Sequence, residues 1–86
     1  MTELQEKKQE LKRRVLVARF ALFGNVPTAA DDIEQARRAC IACQLAAMTE
    51  KTAMKYCALA YQLTTAYFRY NNKEMTDATL RAMQIA

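Results

Sequence analysis

The sequence predicts an all-α fold: an antiparallel helical hairpin with an N-terminal helix in a three-helix, bundle-like arrangement, followed by a short C-terminal helix. The only glycine and the only proline are Gly24 and Pro27, so neither of the residues that most often interrupt a helix occurs after position 27. Apolar residues recur at spacings of three and four. The 52% hydrophobic and 26% charged content is typical of a globular chain, and 86 residues correspond to one domain, 1–86.

The N-terminal helix is predicted over 3–23. Thr2 and Gln5 match a capping box, in which each residue bonds the backbone of the other. An apolar stripe follows at Leu4, Leu11, Val15, Ala18 and Leu22. Further apolar residues widen this stripe in the second half of the helix, namely Leu16, Val17, Phe20 and Phe23. We therefore expect that half to be buried on more than one side.

A turn is predicted over 24–28, since Gly24 suits the left-handed residue that ends many helices and Pro27 cannot continue one. Thr28 is expected to cap the second helix, predicted over 29–48, whose first turn is acidic as its dipole favours. Small and apolar residues form a packing seam along this helix, namely Ile33, Ala36, Cys40, Cys43 and Ala47. Its polar side includes Arg37 and Arg38.

The boundary between the second and third helices admits two interpretations. Residues 49–52 form either a short turn, capped by Thr49 or Thr52, or the exposed middle of one continuous helix. A continuous helix would extend roughly 65 Å at 1.5 Å per residue, and the sequence lacks the sustained coiled-coil pattern typical of such length. We therefore predict a hairpin, with the third helix over 52–70 and a short last helix over 76–85.

The third helix is apolar around most of its circumference. One stripe contains Ala53, Cys57, Ala60 and Phe68, and the other contains Tyr56, Leu59, Leu63, Ala66 and Tyr70. Its tyrosines could stack on single-stranded bases, but aromatic residues at helical spacing more often form a core or anchor an interface. This excess of apolar surface predicts a partner at the third helix.

Three cysteines raise the question of redox or metal chemistry. Cys40 and Cys43 form a C-x-x-C motif, but it lies in mid-helix, away from the helix N-terminus that would stabilise a thiolate. Zinc needs four ligands, and without histidine only Cys57 could join the pair. The absence of histidine also argues against a catalytic triad. We therefore expect no metal, no cofactor and no enzymatic activity, with Cys40 and Cys43 as small core residues on the seam of the second helix.

Charge is concentrated in the N-terminal helix. Its basic residues, Lys7, Lys8, Lys12, Arg13, Arg14 and Arg19, are interleaved with glutamates, a pattern found on ordinary exposed helices and on helices that bind anionic partners. No apolar leader is recognised and no apolar run reaches the roughly 20 residues of a membrane span. The odd number of cysteines then favours a reducing, cytoplasmic setting.

The sequence thus predicts a small, non-enzymatic protein that binds another protein through apolar helical surface, as an adaptor, inhibitor or chaperone-like subunit, and that also self-associates. Candidate anchors are Leu63, Tyr67 and Tyr70, then Phe20 and Phe23, with Arg37 and Arg38 available to an acidic partner. The alternative is a nucleic-acid-binding or transcription-regulating module that uses Lys7, Lys8, Lys12, Arg13 and Arg14. Such a module would lose affinity steeply with salt.

Overall fold

The computed structural model describes residues 1–85, and these form four helices and no strand. Helix α1 spans Glu3–Gly24, α2 spans Ala29–Ala46, α3 spans Glu50–Leu63 and α4 spans Lys73–Ile85. A π-helical segment, Thr64–Arg69, continues α3 directly. The prediction of an all-α fold with a helical hairpin is confirmed.

The helices pack as a four-membered ring. Helix α1 contacts α2 and α4, and α3 contacts the same two neighbours, so α1 and α3 lie diagonally across the bundle. The order of contacts shows that α1 and α4 are antiparallel: the Lys73 ammonium at the start of α4 donates to Asn25 after α1, while Arg19 pairs with Asp77 farther along. The longest dimension, 36 Å, is close to the length of α1 at 1.5 Å per residue.

The ends of α1 follow from two local signals. The predicted capping box is present, since the Thr2 amide donates to Gln5 Oε1 at 2.8 Å and the Gln5 amide donates to Thr2 Oγ1 at 3.2 Å. At the other end the left-handed residue is Asn25, with φ of 51°, and Gly24 is still helical. The prediction that Gly24 is the left-handed residue at the end of this helix was wrong, because asparagine also tolerates the left-handed conformation.

A short turn joins α2 and α3 in the hairpin. Helix α2 ends at Ala46 rather than at residue 48, because Ala47 is extended with ψ of 137°. Thr49 caps α3, and its hydroxyl accepts from the Thr52 amide at 3.2 Å. Thr28 is the N-cap residue of α2 as predicted, but its side chain makes no cap bond to the helix backbone, and its hydroxyl donates to the Asp32 carboxylate at 3.2 Å.

The core contains residues from all four helices. Each helix contributes positions three or four apart: Leu11, Val15, Ala18 and Leu22; Ile33, Ala36, Cys40 and Cys43; Tyr56, Leu59, Ala60 and Leu63; Leu80 and Met83. Helix α4 therefore forms one side of the bundle and contributes to its core. It begins at Lys73, not at residue 76, because Asn72 Oδ1 accepts from the Met75 amide at 3.1 Å and caps the helix.

The predicted third helix changes pitch in its last part. The Tyr70 amide donates to the Thr65 carbonyl at 3.2 Å, a five-residue spacing typical of a π-helix. The chain then turns at Asn71, whose φ is 50°, and the Asn72 amide donates to the Ala66 carbonyl at 2.8 Å. This wide turn leads directly into α4 and places the end of α3 beside the start of α4.

Candidate functional site

Helix α3 is apolar on two opposite faces. Its inner face is buried in the core and contains Tyr56, Leu59, Ala60 and Leu63, continued by Ala66 of the π-helical segment. Its outer face contains Met54, Cys57, Ala58 and Tyr61, at spacings of three and four, and all four are exposed. Of the two predicted stripes, the one that contains Leu63 faces the core. The prediction of Leu63 as a surface anchor was therefore wrong, because its side chain is buried.

A groove lies between α3 and α4 beside this outer face. Tyr61, Gln62 and Thr65 form one wall, and Met75, Ala78 and Thr79 form the other. The groove holds about 280 Å³ and its exposed lining is almost entirely apolar. Tyr61, 67% exposed, is shared with a shallow hollow formed by Met54, Cys57 and Ala58. We call these two depressions, which share Tyr61, the α3–α4 groove.

The other anchors predicted at the end of α3 lie outside this groove. Tyr67 is partly buried against the core, and its ring packs edge-on against Phe68 with centroids 5.0 Å apart. Tyr70 is 61% exposed, and the Arg69 guanidinium lies over its ring at 5.5 Å. Met54, Ala58, Tyr61 and Met75 were not predicted as site residues, although the helical spacing of the first three is visible in the sequence.

A second exposed apolar surface lies on α1. We call it the α1 ridge, and it consists of Leu16, Val17, Phe20 and Phe23. Phe20 is 80% exposed and stands beside a shallow pocket that includes Val26 and Asp32. The expectation that this half of α1 is buried on more than one side is not met within the single chain. Its second apolar side faces outward.

Arg37 and Arg38 are both engaged by one glutamate. The Arg37 guanidinium donates to both carboxylate oxygens of Glu34, at 2.7 and 2.6 Å, and Arg38 donates at 3.1 Å. The bonds from Arg37 and then Arg38 hold the pKa of the Glu34 carboxyl below its ordinary value despite partial burial. Arg37 is therefore committed within α2, while Arg38 remains largely exposed.

The basic residues of α1 divide into paired and free groups. Arg13 and Arg14 both bond Glu10, at 2.7 and 2.8 Å, and these bonds lower the pKa of its carboxyl. Lys7 and Lys12 are exposed, and Lys8 is half-buried. The predicted basic track is thus interrupted by an internal ion-pair cluster. A phosphate that approaches these arginines would therefore also meet the Glu10 carboxylate.

The three thiols occupy two kinds of environment. Cys40 and Cys43 are completely buried, and the Cys40 thiol donates to the Tyr56 carbonyl at 3.2 Å. Burial raises the pKa of Cys40 to about 12 and also raises that of Cys43. Both thiols therefore stay protonated near neutral pH, whereas a reactive dithiol needs a thiolate. Cys57 is exposed on the α3–α4 groove and cannot join them.

Comparison of the chain with protein-family models, with curated proteins and with solved structures gave no match. Of the helices formed by residues 1–85, none combines the length and the apolar character that crossing a membrane requires. In the same residues, no three potential ligand side chains are grouped as a metal ion would need.

Proposed function

We propose that this chain is a non-enzymatic protein-binding protein, an adaptor, inhibitor or chaperone-like subunit, that holds an apolar segment of a partner in the α3–α4 groove. The observation that carries the proposal is the outer face of α3. A helix needs only one apolar stripe to pack against a core. Helix α3 has a second apolar stripe, which the chain leaves exposed. Such contiguous apolar surface on a small protein is typical of an interaction site.

The groove has the form of a site that accepts a helix or an extended apolar segment. Its walls are two packed helices, so it is formed before a partner arrives and little ordering is needed on binding. Tyr61 provides a large, rigid side chain with a hydroxyl, a combination enriched among residues that dominate binding energy. Met54 and Met75 add flexible, polarizable surface that adapts to different side chains.

The proposal also includes the cellular compartment and the charge of the partner. None of the three cysteines forms a disulfide within the chain, which supports a reducing, cytoplasmic location. Arg37 and Arg38 both pair with Glu34, and the Arg38 side chain is the more exposed of the two. Electrostatic steering of an acidic partner would therefore depend on Arg38 more than on Arg37. Apolar contact in the groove supplies most of the affinity.

Affinity capture from the native cell tests this function. The tagged full-length chain, Tyr61→Ser and Tyr70→Ser are compared by quantitative mass spectrometry, since the two tyrosines are similarly exposed and only Tyr61 lines the groove. We expect one or more proteins to be lost with Tyr61→Ser and retained with Tyr70→Ser. Equal capture by all three chains would contradict the proposal. Recovery only of nucleic acid, lost on Lys7→Glu and Lys12→Glu, would favour the basic-helix alternative instead.

A further inference from the structure

The two exposed apolar surfaces lie on diagonally opposite helices. The α1 ridge has Phe20 as its most exposed member and borders a shallow pocket, and the surface between α3 and α4 is a groove with Tyr61 in its wall. We infer that the chain self-associates head to tail, with the α1 ridge of one copy seated in the α3–α4 groove of the next. The inference rests on the proposed function for the location of the groove, and it makes a second copy compete with the partner for that site.

Apolar complementarity supports this pairing. The ridge offers aromatic and branched side chains. The pocket of about 280 Å³ between α3 and α4 is lined by Tyr61, Met75 and Ala78 together with three polar side chains, and Met54 lines the hollow beside it. An aromatic side chain entering such a pocket is the usual form of an interface anchor. A stable contact buries about 800 Å² per copy, a modest part of the 5524 Å² surface of this chain.

Charge complementarity distinguishes a second copy from an arbitrary apolar segment. Asp32 lines the pocket beside Phe20, and Asp31 next to it is exposed. On the groove side, Lys51 and Lys55 occupy the same side of α3 as Gln62, because positions four and seven apart share a helical face. Neither lysine forms an ion pair with any residue of 1–85.

Each surface thus has an exposed aromatic side chain near charge of one sign. Lys55 lies about 9 Å along the α3 axis from Tyr61. On the other surface, Asp32 lines the same pocket as Phe20.

The position of the two surfaces determines the kind of assembly. Helices α1 and α3 are diagonal in the bundle, so one copy can use both surfaces at once. Such a contact is heterologous and leaves an open ridge at one end and an open groove at the other. Assembly therefore continues beyond a dimer as concentration rises.

Complementation between two variants tests this arrangement. Purified full-length chains are examined by sedimentation velocity over a concentration series, with circular dichroism to confirm folding. We expect wild-type mass to rise with concentration and both Phe20→Ser and Tyr61→Ser to remain monomeric. Their equimolar mixture forms a dimer, because one variant keeps the groove and the other keeps the ridge. Leu45→Ser, on an exposed residue outside both surfaces, behaves as wild type.

A mixture that stays monomeric while the wild type associates would overturn the head-to-tail contact in favour of a symmetric one. A wild type that is monomeric at every concentration would overturn self-association altogether, and the capture experiment would still judge the proposed function separately. Charge reversal adds a second readout: Asp31→Lys and Lys55→Glu each weaken association severalfold, and the chain with both changes recovers it. Unchanged association in both single variants would overturn the assignment of a second copy to this groove.

Discussion

Tyr56 and Tyr61 lie on opposite sides of one helix: the Tyr56 side chain is completely buried and that of Tyr61 is 67% exposed. Both are flanked by apolar residues at helical spacing, so the local sequence around each is that of a core position. The helix thus has apolar residues on both faces, and the chain itself covers only one. This relationship is the basis of the proposed function.

Replacing the two tyrosines by alanine should have different effects on stability. We expect Tyr56→Ala to lower the free energy of unfolding by about 3 to 5 kcal/mol, the range for a large aromatic side chain removed from a core. Tyr61→Ala should change it by less than about 0.5 kcal/mol, as at most surface positions. Urea denaturation measures both. Equal losses would mean that the outer face of α3 contributes to the fold of the single chain.

The ion pair between Arg19 and Asp77 should be a major link between α1 and α4. Asp77 is nearly buried, accepts from Arg19 at 2.7 Å and forms an ion pair with Arg81 at 2.9 Å. Asp77→Ala leaves the partly buried Arg19 without its partner, so we expect a loss of about 1.5 to 3 kcal/mol in the free energy of unfolding. Arg81→Ala, at a largely exposed residue, is the control and should cost less than about 1 kcal/mol. The interpretation fails if the two variants are equally stable.

The three cysteines should react at very different rates with a thiol reagent. We expect Cys57 to be alkylated rapidly in the folded protein, because it is exposed on the groove. Cys40 and Cys43 should react only after unfolding, since both are buried and protonated. Mass spectrometry of the labelled peptides gives the rates. Fast labelling of Cys40 under native conditions would show that the contact between α2 and α3 opens readily.

Stability should fall at alkaline pH. Burial raises the pKa of Cys40 from 9.0 to about 12 and that of Tyr56 from 10.0 to about 12. The unfolded chain therefore releases these protons first, and the stabilisation is complete below about pH 9 and is lost as pH rises toward 12. We expect the free energy of unfolding to decrease over that window. Tyr56→Phe should flatten the decrease above pH 10, and an unchanged slope would rule out a contribution from this hydroxyl.

The sequence predicted the all-α class and the hairpin because breakers and caps are local signals. Thr2 with Gln5, and Thr49 before α3, act through hydrogen bonds to residues only three positions away. The π-helical segment was not predictable in this way, because its wide turn depends on the Asn72 amide reaching Ala66 and on α4 docking beyond it.

The choice of outer face on α3 could not be made from sequence. Two apolar stripes at helical spacing are equivalent until the neighbouring helices are placed, and the selection of Leu63 over Tyr61 followed from that ambiguity. The groove itself needs Met75 and Ala78 of α4, whose contact with α3 is tertiary. The width of the apolar face on α1 predicted both burial of its second half and Phe20 as a candidate anchor; Phe20 is exposed in the single chain, and its role as an anchor stays a prediction.

The dissociation constant of the captured partner shows whether binding depends on Tyr61. Binding of the purified partner to wild type, Tyr61→Ser and Tyr70→Ser is measured by titration calorimetry. We expect Tyr61→Ser to weaken binding at least tenfold, a loss of about 1.4 kcal/mol, and Tyr70→Ser to stay within about twofold of the wild type. A partner whose affinity is unaffected by Tyr61→Ser would contradict the assignment of binding to the α3–α4 groove.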